Sequence, residues 1–231
     1  MRILFNNLLY NSTLSADTVN ANYPLSNLKS DHLKKIYQAT TTSAVITITI
    51  GAASQVNSCY IGFTNATSAV LALYNSSDVL LRTVSLNVSR GGGIFTTTQN
   101  VSYAKLTLAG SNTIYLGTIG IGYAYKMPDP NNDIVLKPID NSDREYSTDG
   151  QLYINRADIL HQIDATYSFE SIDTYNEIIA LWEDLQHPAW VDPYEENTGS
   201  INPMFCDITM DDSPTQTWGW YVWSHNYREV R

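Results

Sequence analysis

From residue 44 the apolar and polar positions alternate with a period of two. Ile46, Ile48 and Ile50 fall on one side, Val45, Thr47 and Thr49 on the other, as in a strand with one buried face. Strand-like runs follow at 56–63, 69–74, 79–86, 102–108 and 113–125. Between them lie Asn65-Ala66-Thr67, Asn75-Ser76-Ser77-Asp78, Arg90-Gly91-Gly92-Gly93 and Gly110-Ser111-Asn112, residues that tolerate turns. Short strands with regular punctuation and no helical period predict an antiparallel sandwich or jelly roll. Residues 1–43 read as largely irregular, with Pro24 biasing Tyr23 away from helix and one helical turn over 31–37.

The pattern changes at Met127-Pro128-Asp129-Pro130-Asn131-Asn132-Asp133. We read 1–127 as a β-sandwich, 128–133 as a joint and 134–231 as a smaller α+β domain. Short strands at 135–138 and 151–154 flank a polar loop. Over 157–169, Ile159, His161, Ile163, Ala165, Tyr167 and Phe169 share one face of a strand. A helix is expected over 174–186, with Thr174 and Glu177 as a capping box and Tyr175, Ile178, Ile179, Trp182 and Leu185 as its apolar stripe. His187-Pro188 ends it. Residues 188–202 read as an acidic loop, followed by strands at 204–210 and 218–227. The fold class is therefore mainly β, with one main helix packed on an antiparallel sheet.

Charge sharpens the division. The chain of 231 residues has a net charge of −10. Residues 1–128 hold eight Lys/Arg against three Asp/Glu, whereas 129–231 hold five against twenty. The acidic half would repel phosphate, so nucleic acid is not an expected partner. Opposite signs on the two halves suit head-to-tail association of copies, and equally suit the solubility of an aromatic-rich domain. No apolar run approaches a bilayer span, and the opening residues lack the apolar core of a signal peptide. Cys59 and Cys206 sit in apolar strand-like runs and are expected as buried free thiols.

Catalytic chemistry is not legible. His32, His161, His187 and His225 form no zinc-binding spacing, and His161 reads as a satisfied core or interface residue. Neither a nucleophile elbow nor a cysteine motif occurs. Gly117, Gly120 and Gly122 run along a strand without opening a helix, which favours close sheet packing over a nucleotide loop. Asp207, Asp211, Asp212, Glu195 and Glu196 lack a calcium-loop spacing and read as solvated loop acids. We expect no enzyme, no cofactor and no metal. The aromatics Trp190, Tyr194, Trp218, Trp220, Tyr221 and Trp223 are the candidate interface residues, because a strand bearing aromatics on both faces is covered on both.

Three stretches carry a resemblance. Asn22-Tyr23-Pro24-Leu25-Ser26-Asn27-Leu28, Ile36-Tyr37-Gln38-Ala39-Thr40 and Cys59-Tyr60-Ile61-Gly62-Phe63-Thr64-Asn65 resemble the discoidin-like (galactose-binding-like) jelly rolls of tailed-bacteriophage proteins. In the second half, Thr166-Tyr167-Ser168-Phe169-Glu170 leading into a helix, then Pro203-Met204-Phe205-Cys206 and a closing aromatic strand, look like the sequel in phage tail-tip proteins. The resemblance implies a non-enzymatic virion component at the tail tip or baseplate. It would assemble as a homo-oligomeric ring with other tail proteins and present a docking or adhesion module, with a host surface glycan among its partners. A carbohydrate-binding module of a cell-surface or secreted protein is the alternative, and a carboxylate-based glycoside hydrolase ranks below both.

Overall fold

The computed structural model describes residues 1–130, 134–140, 143–146, 152–155, 159–169, 171–193, 202–210, 214–217 and 220–230. In chain order the strands are β1 (Arg2–Leu4), β2 (Thr13–Ala16), β3 (Tyr37–Gln38), β4 (Ser43–Thr64), β5 (Ser68–Tyr74), β6 (Leu80–Leu86), β7 (Gly92–Ala109), β8 (Tyr115–Gly122), β9 (Tyr125–Lys126) and β10 (Val135–Asp140). They continue with β11 (Asp143–Tyr146), β12 (Leu152–Asn155), β13 (Ile159–Phe169), the helix α1 (Ile172–Glu183), β14 (Ala189–Asp192), β15 (Met204–Met210), β16 (Thr215–Thr217) and β17 (Trp220–Glu229). The protein is mainly β, as the alternation predicts.

The sandwich is one antiparallel sheet folded over on itself, in the order β3-β8-β4-β7-β5-β6 with β2 on β4. Two long strands make the fold possible. The first part of β4 pairs with the end of β7 (Ser43↔Ala109 to Thr49↔Tyr103), and its last part pairs with β8 (Ser58↔Gly122 to Thr64↔Leu116). Register shifts between Thr49 and Ser58 mark the bend, where bulges increase twist. Asn100 turns there with φ 58°, a conformation asparagine tolerates. Ile46, Ile48 and Leu106 of one layer meet Cys59, Ile119 and Ile121 of the other in a single core. Burial pushes the Cys59 thiol up to about 12, as expected of a buried free cysteine.

The second sheet is antiparallel in the order β10-β13-β17-β15-β14-β1-β9, with β16 on β17. It draws in strands that the sequence reading gave to the sandwich half. β1 lies between β14 and β9, pairing Ile3 with Val191 and with Tyr125. Residues 2–4 are thus a strand rather than irregular, and the sheet of the second half contains segments from both sides of 128–133. Ile3, Leu4 and Phe5 are all buried, and β14 and β9 pair with the two edges of the strand that carries this apolar run. Pro130 forms an isolated bridge to Tyr167 of β13. β11 and β12 form a separate two-stranded ribbon.

The face of β13 falls as its alternation predicts, with Ile163, Ala165, Tyr167 and Phe169 buried. α1 lies on this sheet through Ile178, flanked by Tyr175, Ile179, Trp182 and Leu185, the expected stripe. Its start differs from expectation. Ser171, not Thr174, is the N-cap, its hydroxyl accepting from the Asp173 amide at 3.1 Å. Glu177 takes the Tyr125 hydroxyl at 3.1 Å and makes no capping box. The stretch read as an acidic loop begins instead with the buried strand β14, because Ala189 and Val191 enter the core of the second sheet while Trp190 packs with Leu4, Tyr60 and Phe205.

Candidate functional site

Where the two bodies meet, one glycine of β4 and one of β8 make room for a single side chain. The Trp190 indole lies flat across Gly62 and Gly120. A Cβ at Gly120 would stand 2.3 Å from Trp190 Cδ1, and one at Gly62 would stand 3.0 Å from Cη2. Tyr60 stacks on the indole with centroids 5.4 Å apart, and Phe205 closes the far side at 5.6 Å. Beside this slot, Arg90 holds Asp192 through two hydrogen bonds, Nη1 to Oδ2 at 3.2 Å and Nη2 to Oδ1 at 2.6 Å. The two side chains are 5% and 0% exposed, so a bidentate ion pair is sealed inside the junction. Asn7 adds a further clamp, its amide serving the Ile119 carbonyl and the Ile121 and Leu9 amides. Sandwich and second sheet are therefore welded rather than hinged.

On the rim of this junction a cleft of about 270 Å³ opens between the first segment of the sandwich and the end of α1. The His187 ring stacks on Tyr10 with centroids 3.8 Å apart and planes 13° apart. Asp31 fixes both: its Oδ1 accepts from the Tyr10 hydroxyl at 3.0 Å, and both carboxylate oxygens lie 3.2 Å from His187 Nδ1. Burial, reinforced by the charge and hydrogen bond of Asp31, raises the Tyr10 phenol well above its ordinary range. Lys29 holds the Tyr10 carbonyl at 3.1 Å. Phe5, Leu181 and Pro188 supply apolar surface, while Asn6, Asn11, Asp184 and Gln186 are exposed at the rim. Their side chains make no hydrogen bond among the described residues. The lining offers planar amides, a carboxylate and an aromatic wall, but no serine, threonine or cysteine. Such a surface can hold a polyol. Among the described residues no group of three His, Cys, Asp or Glu is placed to hold a metal.

The candidate interface aromatics scatter. Trp190 is 3% and Trp223 1% exposed; both spend their surface inside the chain, because one fills the glycine slot and the other lies under α1 against Tyr175. Tyr221 is half-buried and stacks on Phe169 at 5.9 Å. Trp220 opens β17 opposite Thr217. Tyr194 and Trp218 lie outside the described residues. His161 is satisfied, as expected, with Nδ1 2.8 Å from Glu229 Oε2. Nothing in the spacing of Tyr10, Asp31 and His187 announces their meeting.

No protein-family model and no curated protein sequence matches the chain. Solved structures with similar coordinates cover half of it. A chitosan-binding module of a chitosanase/glucanase from Paenibacillus sp. IK-5 aligns at 17% identity over 51% of this chain and 99% of its own, with a TM-score of 0.42. The lectin domain of lectinolysin, solved with the Lewis B antigen, aligns at 12% identity over 50% and 95%, with a TM-score of 0.41. A pectin-binding carbohydrate-binding module aligns at 13% identity over 50% and 93%, with a TM-score of 0.39. The strand order and register of the chain itself make the sandwich.

Proposed function

We propose that the protein is a non-enzymatic structural protein that docks a surface glycan in the Tyr10–His187 cleft, with the second body as a rigid mount for the sandwich. One observation carries this reading: a stacked aromatic pair lines the same cleft as Asn6, Asn11, Asp184 and Gln186, four exposed side chains that make no hydrogen bond among the described residues. A pyranose has apolar C–H faces for the ring wall and hydroxyls for planar amides and carboxylates. A volume of 270 Å³ sits at the small end for ligand sites, which suits a terminal sugar rather than a buried chain. The setting we propose is a tailed-phage tail tip or baseplate, with the protein as a ring. The sequence resemblance and the opposite charges of the two halves support it.

Two measurements test this. A glycan array, begun with chitosan and Lewis B oligosaccharides, should show binding that Gln186→Ala and Asp184→Ala each weaken at least tenfold. Mass photometry and negative-stain micrographs of the full chain should show a closed oligomer. A monomer with cleft-dependent glycan binding would replace the virion setting with a carbohydrate-binding module of a cell-surface or secreted protein. Absence of glycan binding would overturn the docking role.

A further inference from the structure

The outer face of the sandwich carries a second arrangement, remote in sequence from the cleft residues. Tyr74 of β5 and Tyr103 of β7 are cross-strand partners, and their rings stack 4.7 Å apart at 3°. Lys105, two residues on and opposite Ala72, holds its Nζ 5.4 Å from one ring centroid and 5.8 Å from the other. Thr47 and Thr49 of β4 continue the two rows, opposite Lys105 and Tyr103. At the edge, Leu80 pairs with Tyr74 and is 52% exposed, beside Val79 at 54%.

Such cross-strand pairs stabilise sheets on their own account. Lys105 is what calls for more. It is half-buried, and among the described residues no carboxylate pairs with its ammonium, although the two phenols hold it in place. Asp78, an acid beside this patch, is engaged with the Tyr103 hydroxyl. The half of the chain that bears the patch is the basic one, with eight Lys/Arg against three Asp/Glu. A fixed ammonium with free donors, beside aromatic and aliphatic surface and a row of threonine hydroxyls, complements a sugar ring bearing a carboxylate.

We propose that this face is a second carbohydrate site, specific for carboxylate-bearing polysaccharide. The uronate carboxylate pairs with Lys105, and the apolar faces of the sugars lie along Tyr74, Tyr103 and Leu80. The site is independent of the cleft, so either can fail without the other.

Affinity electrophoresis of the full chain tests it, in gels containing polygalacturonate or uncharged dextran. The protein should be retarded by polygalacturonate alone, and added salt should weaken retention, since the contact is partly ionic. Lys105→Met keeps the aliphatic stem and should weaken retention at least tenfold; Tyr74→Ala should do the same. Thr209→Ala, exposed on β15 of the second sheet, should leave retention unchanged. No retardation of the wild type, or equal retardation of wild type and Lys105→Met, would overturn the proposal. Circular dichroism of each variant confirms that the fold persists.

Discussion

Substituting Gly120 by alanine isolates the contact that joins the two bodies. The added methyl would stand 2.3 Å from Trp190 Cδ1 and 2.6 Å from Nε1, where ordinary contact begins at 3.4 Å, so the indole must retreat by roughly an ångström. Overpacking of this kind costs about 1–3 kcal/mol. Against it stands the smaller entropy of the unfolded chain when glycine becomes alanine, about 0.4–1 kcal/mol. The net expectation is a loss of about 1–2 kcal/mol. Trp190→Ala should lose more, about 3–5 kcal/mol, because a large side chain leaves a well-packed slot. The two changes are coupled. With the indole gone the methyl meets no clash, so Gly120→Ala in the Trp190→Ala background should be neutral or stabilising. The coupling energy should be about 1–3 kcal/mol. Equilibrium unfolding in urea, followed by far-ultraviolet circular dichroism, measures all four corners of the cycle. If Gly120→Ala costs the same in both backgrounds, the indole is not what fills that slot.

Other perturbations follow from the same contacts. Removing one partner of the sealed ion pair, Arg90→Ala or Asp192→Ala, should cost about 3–5 kcal/mol by stranding a buried charge, whereas a loss below 1 kcal/mol would mean the junction admits water. His225 is 3% exposed, and burial lowers its imidazole to about 3 from 6.5. The unfolded chain therefore binds the extra proton between those values, and stability falls as pH drops below 6.5, by about 2 kcal/mol at pH 5. His225→Gln should flatten the thermal midpoint between pH 7 and 5, and an unchanged slope would assign the acid sensitivity to other groups. Ser171→Ala should cost about 1 kcal/mol through the lost helix cap while Thr174→Ala costs little; denaturant midpoints showing the reverse order would restore Thr174 as the cap.

Much of the sandwich is legible in the sequence, because Ile46, Ile48 and Ile50 alternate cleanly and polar turns separate the strands. The stripe of α1 is legible for the same reason, being set by a period that local residues determine. β14 is not. Ala189, Trp190, Val191 and Asp192 are buried alike, so they show no alternation, and acidic neighbours disguise them as loop. β1 is too short to show any period, and its role depends on partners more than a hundred residues away. The cleft is the least legible feature, since Asp31 and His187 are separated by 156 residues and only the closed fold brings them together. The capping box read at Thr174 fails on a tertiary contact, because Glu177 is drawn off by Tyr125 and Ser171 caps α1 instead.

The chain leaves the second sheet through β1 and comes back through β9, and those two strands lie hydrogen-bonded side by side, Arg2 opposite Lys126. Everything from Phe5 to Ala124 is thus looped out between adjacent rungs of one ladder. An excursion with both ends at a single point leaves the hydrogen bonds of that ladder intact whatever its length. Trp190 in its glycine slot and the Arg90–Asp192 pair then tie the excursion back to the sheet from which it departs.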